Sequence, residues 1–113
     1  MAAPDITPVL KFMVEKGGSD LFFSTAAPIN INIEGEAMPV NAQVMKPGMV
    51  QEIAYSLMND HQIRQFEETL EANFALSVHD VGRFRVNVFR QRGEASMVII
   101  PRMRSLRTSS VAP

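Results

Sequence analysis

Ile6, Val9, Leu10 and Met13 fall three and four residues apart, the spacing of one helical face. Asp5 or Thr7 can cap that helix, Pro8 is tolerated in its first turn, and Gly17-Gly18 ends it. From Ser19 to Thr25, Leu21 and Phe23 alternate against Asp20 and Phe22 as in a strand, which Ala26-Ala27-Pro28 breaks. Ile29 to Glu34 alternates strictly, turning three isoleucines to a core. Gly35 then permits a hairpin into a short arm, Ala37 to Val40. After a connector from Asn41 to Lys46, Pro47 opens a helix striped by Val50, Ile53, Ala54, Leu57 and Met58, ending near Asn59. Asp60 caps a further helix with Ile63, Phe66 and Leu70 on one side and Glu67, Glu68 and Glu71 in solvent. Phe74, Leu76 and Val78 alternate as a strand, Asp80-Val81-Gly82 turns, and Phe84, Val86 and Val88 alternate back opposite Arg83, Arg85 and Asn87. A turn around Gly93 leads to a last run, Ala95 to Ile100, stopped by Pro101. The order α-β-β-β-α-α-β-β-β predicts an α+β domain, because strands joined by short turns form an antiparallel sheet whose apolar face the helices cover.

Composition sets the outer bounds. With 113 residues, 46% of them hydrophobic and 20% charged, the chain is long enough for one core without a metal or disulfide. Residues 1–101 read as that domain, and 102–113, which keep neither period, as a tail or a linker cut short. The absence of cysteine excludes thiol nucleophiles, cysteine-ligated metals and a disulfide framework. The longest apolar run, Met97 to Pro101, is far below the roughly 20 residues of a membrane helix, and the start lacks the pattern of a secretory signal; a cytoplasmic location is expected. Charge is unevenly placed. Residues 1–82 carry four bases against eleven acids, and residues 83–113 carry seven arginines against Glu94 alone. Such a field points either to an anionic partner or to the acidic first part of the same chain.

Little of this supports catalysis by the chain alone. There is no phosphate-loop motif, so the chain itself is not expected to hydrolyse ATP. His61 and His79 lack ligand spacing, no elbow frames a serine nucleophile, and the glutamates 67, 68 and 71 read as a solvated face. The methionines read as core filler. The segment Gly82 to Arg92 differs: alternation brings Arg83 and Arg85 to one strand face, where guanidinium forks suit phosphate or carboxylate, with Phe89 beside them. One aromatic makes a poor stacking platform for single-stranded nucleic acid, so an acidic protein surface or a phosphate ranks above RNA.

The stretch Leu10 to Leu21 (LKFMVEKGGSDL), then Met58-Asn59-Asp60, Phe66-Glu67-Glu68, Asn73-Phe74 and Gly82 to Phe89 (GRFRVNVF), resembles the N-terminal domain of type IV pilus retraction ATPases of the PilT/PilU kind, across about residues 5–100. The MVEKGGSDL wording is closer to PilU. The resemblance implies a PAS-like domain preceding an absent RecA-like ATPase domain, within a homo-hexamer that uses ATP and Mg2+ in twitching motility. It implies that this domain packs on the motor domains of its own and a neighbouring subunit. Arg85, then Arg83, and Arg102 if the register shifts, become candidates for a nucleotide contact in trans. Gly18, Asp20, Phe89 and Arg90 become interface or structural positions, with Asp20 pinning the first helix to the sheet. Further implied partners are a paralogous retraction ATPase and the pilus inner-membrane platform, which would place the protein peripherally at that membrane; no nucleic acid is expected, and no cofactor on this chain alone.

Three positions depart from the family's wording. Asn32 stands where a basic residue is usual, Ile100-Pro101 near where an arginine closes the last strand, and Phe22 where the S-D-[IL]-H signature has histidine. These departures imply an auxiliary or weakened nucleotide role. The rival readings are a ligand-sensing PAS-like module, which needs an enclosed polar cavity, and a nucleic-acid-binding domain, which needs steeply salt-dependent binding.

Overall fold

The computed structural model describes residues 4–102. Helix α1 (Thr7–Lys16) leads into strands β1 (Asp20–Phe23), β2 (Pro28–Ile33) and β3 (Glu36–Val44). Helices α2 (Met49–Ser56) and α3 (Asp60–Thr69) follow, then β4 (Glu71–Val78), β5 (Gly82–Gln91) and β6 (Glu94–Pro101). The strands form one antiparallel sheet in the order β3-β2-β1-β6-β5-β4. Alternation sorts the side chains. Leu21, Phe23, Ile31, Phe84, Val86, Val88, Met97 and Ile99 lie on the buried face, packed with Leu10 and Met13 of α1, Val50 and Ile53 of α2 and Phe66 of α3. Among the described residues no helix is long and apolar enough to cross a membrane.

The α+β order expected from periodicity is the observed one, with local corrections. Strand β3 runs on to Val44, through most of the expected connector, and shifts register against β2 between Pro28 and Asn30. It is an edge strand exposed along nearly its whole length, so main-chain pairing sustains it where no side-chain alternation signals it. Helix α2 closes at Ser56, and Asn59, not Asp60, caps α3. Its side chain accepts from the Gln62 N–H (2.8 Å) while Gln62 Oε1 accepts from the Asn59 N–H (3.0 Å), a reciprocal capping box. Leu70 does not line α3's inner side; it is the C-cap, at φ 66 and 46% exposed. At α1 the N-cap is Ile6, not Asp5 or Thr7, and it makes no side-chain cap bond; Asp5 Oδ1 instead accepts from the Thr7 N–H (3.0 Å) just ahead of the helix. Strand β6 ends at Pro101 as expected, but Pro101 itself still pairs with Phe84, and the Arg102 N–H donates to the Arg83 carbonyl at 2.8 Å.

Two contacts tie the layers. A Cβ on Gly18 would stand 2.7 Å from Ile31 Cδ1 and 2.9 Å from Cγ1, on a fully buried side chain. Gly18→Ala is therefore expected to destabilise the domain by about 1–3 kcal/mol through overpacking, read as a lower urea midpoint at unchanged slope. Glu94 Oε1 accepts from Thr25 Oγ1 (2.8 Å) and from the Gly48 N–H (3.3 Å) at the start of α2, joining the β5–β6 hairpin to the β1–β2 turn and the helix layer. The Thr25 hydroxyl first, then the Gly48 N–H, hold the Glu94 carboxyl below the ordinary carboxylate range, and the Thr7 N–H does the same for Asp5. Folding thus favours the ionised carboxylates, and their contribution is present above the unfolded-state values, about 4.3 for Glu94 and about 3.9 for Asp5, and lost as pH falls through the lower folded values. Glu94→Gln is expected to lower the urea midpoint at pH 7 and to shrink the difference between pH 7 and pH 3; an unchanged difference contradicts the assignment.

Candidate functional site

The helices cover one face of the sheet, and the opposite face carries the residues that alternation turns away from the core. Pairing places them in rows. Asn30, Phe22, Val98, Asn87 and Asn73 lie side by side across five strands, and one rung along, Ile100 stands beside Arg85, which faces Ala75. Phe22 is 36% and Ile100 42% exposed, while Val98 and Phe89 are half-buried. The middle of this face is apolar. Sequence reasoning placed only Phe89 beside the arginines. Phe22, Val98 and Ile100 arrive from β1 and β6, which only the strand order brings next to β5.

One end of this face is cationic. Arg83 faces Ser77, and Arg85, two residues along, faces Ala75. The hydrogen bond from Arg102 to Arg83 extends the β6 register by one residue, which puts Arg102 directly across from Arg83 and diagonal to Arg85. Arg85 and Arg102 line a shared cleft with Asn73, Phe74 and Ala75. All three arginines are exposed, and among the described residues the one ion pair is His79–Asp80, at 3.4 Å. Like charges directly opposite on neighbouring strands repel. Arg83, Arg85 and Arg102 thus share one end of the open face, and among the described residues no ion pair to the acidic first part of the chain neutralises them.

The remaining expected positions are dispersed. Phe89 lies on the open face beside Ser96 and Glu71. Arg90 points the other way, with its guanidinium carbon 5.6 Å from the centre of the Phe66 ring and its Nε buried without a hydrogen-bond partner. Phe66 also meets Tyr55 edge to face at 6.1 Å, and the Tyr55 hydroxyl donates to Glu67 at 3.0 Å. Burial, then Glu67, raises the Tyr55 phenol above its usual range. Asp20 sits opposite Asn32, and its carboxylate accepts from Ser19 Oγ at 2.6 Å. The link from helix to sheet falls to Ser19 instead: its N–H and hydroxyl both donate to the Asn32 carbonyl, at 2.8 and 3.3 Å. The departures Phe22, Asn32 and Ile100 all belong to the open face, and the Asn32 Oδ1 is buried without a partner. Residues 103–113 of the expected tail lie outside the described residues.

The chain matches no family profile. It is 43% identical over 91 residues to the type IV pilus ATPase PilU of Pseudomonas aeruginosa and 39% identical over 94 residues to the retraction ATPase PilT of the same organism, covering 80% and 83% of this chain. A twitching motility protein of Neisseria gonorrhoeae is 35% identical over 68 residues, 59% of this chain and 18% of its own length. The chain is homologous to the N-terminal region of retraction ATPases of the PilT/PilU kind. It spans about a quarter of the curated relatives it matches, 24% of PilU and 27% of PilT. The crystal structure of the pilus retraction motor PilT with bound ADP superposes with a TM-score of 0.79 at 30% identity, over 86% of this chain and 29% of that one. The Legionella pneumophila ATPase DotB shares the fold, with a TM-score of 0.70 at 14% identity over 88% of this chain and 29% of its own. The PilT/PilU-type domain thus presents a helix-covered core on one side and, on the other, an open sheet face with three arginines at one end.

Proposed function

We propose that this chain is the N-terminal domain of a hexameric pilus retraction ATPase, and that its open sheet face docks on the motor domain of a neighbouring subunit and directs Arg85 to the nucleotide phosphates there. The observation that carries this reading is the cluster of Arg83, Arg85 and Arg102 on an uncovered sheet face, with no carboxylate in ion-pair reach among the described residues. An apolar patch with charge at one edge is the composition of a protein interface, and a guanidinium fork fits phosphate oxygens bidentately. Arg85 ranks first because it lies between Ala75 and Ile100, beside the apolar patch that would seat the partner. Arg83 and Arg102 flank it as interface or second phosphate contacts.

The magnesium ion and the phosphate cradle belong to another part of the parent protein in this reading. Among the described residues no three acidic or histidine side chains gather as a metal site, and the sequence holds no phosphate loop. When bound at the neighbouring site, Mg2+ would neutralise phosphate charge. The share of this chain is to place a cation there and to keep water from the apolar contact around it. In this reading the setting is a cytoplasmic hexamer working at the inner-membrane platform alongside a paralogous retraction ATPase; the relatives' names support its coarser part, a type IV pilus ATPase in twitching motility. The test is ATP turnover by the full-length parent with Arg85→Ala: a large loss at unchanged hexamer content supports the contact, and unchanged turnover removes it.

A further inference from the structure

The two edges of the sheet are β3 and β4, and they differ. β3 holds Pro39, and its pairing with β2 shifts register, features that spoil an edge for further pairing. β4 has no proline, no lysine and no bulge; it pairs with β5 in one unbroken register from Glu71 to Val78. Leu70 and Arg90 extend that register, and the Arg90 N–H donates to the Leu70 carbonyl at 2.9 Å. By alternation, the main-chain groups of Ala72, Phe74 and Leu76 turn to β5, and those of Glu71, Asn73, Ala75 and Ser77 turn outward. The Glu71 carbonyl, which accepts from Thr69 Oγ1 at 2.9 Å, agrees with this. All four outward residues are exposed, and among the described residues no hydrogen bond covers the outward groups of Asn73, Ala75 and Ser77.

We propose that a second copy of this chain adds its own β4 to this edge, antiparallel, so that two sheets become one. The strand itself sets the register. Outward-turned residues must face outward-turned residues across the new pair, and only Asn73 opposite Ala75 engages all four. Glu71 then faces Ser77 of the second copy, and twofold symmetry repeats both pairs. On the helix side the same register sets Phe74 against Phe74 and Ala72 against Leu76, apolar against apolar. Charge fits as well. Arg83 lies beside Ser77 on β5, so Glu71 of the second copy stands two strand spacings, about 10 Å, from it with only a serine between. Neither Glu71 nor Arg83 has an ion-pair partner among the described residues, and the antiparallel pair supplies one to each, twice over. A twofold contact closes on two copies, so it adds to the subunit contacts of the proposed hexamer and does not build its ring. It lies in the plane of the sheet and shares only Arg83 with the contact proposed for the motor domain.

The experiment is sedimentation equilibrium of the 113-residue chain, with amide chemical shifts of the same samples, between about 10 μM and about 1 mM. A monomer–dimer equilibrium with Kd of about 1 mM or tighter is expected, as for a small interface, with concentration-dependent shifts centred on Asn73, Ala75 and Ser77. Ala75→Pro removes an outward N–H and leaves the bonds to β5 in place, and Glu71→Arg sets a cation toward Arg83; each is expected to weaken the dimer about tenfold or more. Adding Arg83→Glu to Glu71→Arg reverses both charges and is expected to restore the wild-type constant to within about threefold. The proposal is overturned by a chain that stays monomeric at about 1 mM, by concentration-dependent shifts centred on Phe22 and Val98, by a dimer that Ala75→Pro and Glu71→Arg leave unchanged, or by a charge reversal that restores nothing. Outward amides already protected from exchange at the lowest concentration would also overturn it, since another segment of the same chain would then cover the edge.

Discussion

Phe66→Ala is expected to destabilise the domain by about 3–5 kcal/mol, a large part of the roughly 5–15 kcal/mol that holds a domain folded. Phe66 is the one residue of α3 that is fully buried, so the helix has no other deep anchor in the core. Removing the ring opens a cavity, takes away the edge-to-face partner of Tyr55 and strips Arg90 of the aromatic face under its guanidinium. The Arg90 Nε, already without a hydrogen-bond partner, would then border that cavity. Thermal unfolding should show the loss as a drop of more than about 10 °C. Glu68→Ala, on the solvated side of the same helix, should change stability by no more than about 0.5 kcal/mol. Similar melting temperatures for the two variants would contradict the anchoring role.

Much of this architecture is legible in the residues, and the parts that are not share a cause. Ile29, Ile31 and the Phe84, Val86, Val88 series announce their strands because one face of each is buried and the other is not. Of strand β3 only the arm Ala37 to Val40 after Gly35 is legible; the rest, to Val44, is exposed and its pairing is carried by the main chain. The Asn59–Gln62 capping box lies within three residues and was open to local reading; the choice between Asn59 and Asp60 turns on which side chain reaches the Gln62 N–H. Glu94 could not be read locally, because its partners Thr25 and Gly48 are 69 and 46 residues away. The site divides in the same way. Arg83 and Arg85 share a face by alternation within one strand. Arg102 joins them only because pairing continues past Pro101, and the apolar patch exists only because β1 and β5 both flank β6. The resemblance to retraction ATPases rested on short motifs in order, and homology to PilU and PilT over most of the chain carries it.

Arg85→Ala should have the largest effect on function and almost none on the fold. The side chain is exposed, lies between Ala75 and Ile100 and makes no ion pair among the described residues, so its removal should shift domain stability by less than about 0.5 kcal/mol. An arginine supplied in trans to a transferring phosphoryl group is worth about 10³-fold or more in kcat, so turnover by the full-length hexamer should fall by that order. Arg85→Lys should recover only a small part, because a single ammonium cannot reproduce the bidentate fork. A contact made only to seat the domain would instead weaken hexamer assembly and spare the turnover of hexamers that form.

The most direct test mixes two inactive full-length proteins, one carrying Arg85→Ala and the other disabled in the phosphate loop of its motor domain. If Arg85 acts on a neighbour's nucleotide, mixed hexamers contain sites that pair an intact phosphate loop with an intact Arg85. The mixture then regains turnover that neither protein has alone. If the mixture shows no more than the sum of its parts while exchange of subunits is verified, Arg85 does not act between subunits and the account fails at its centre.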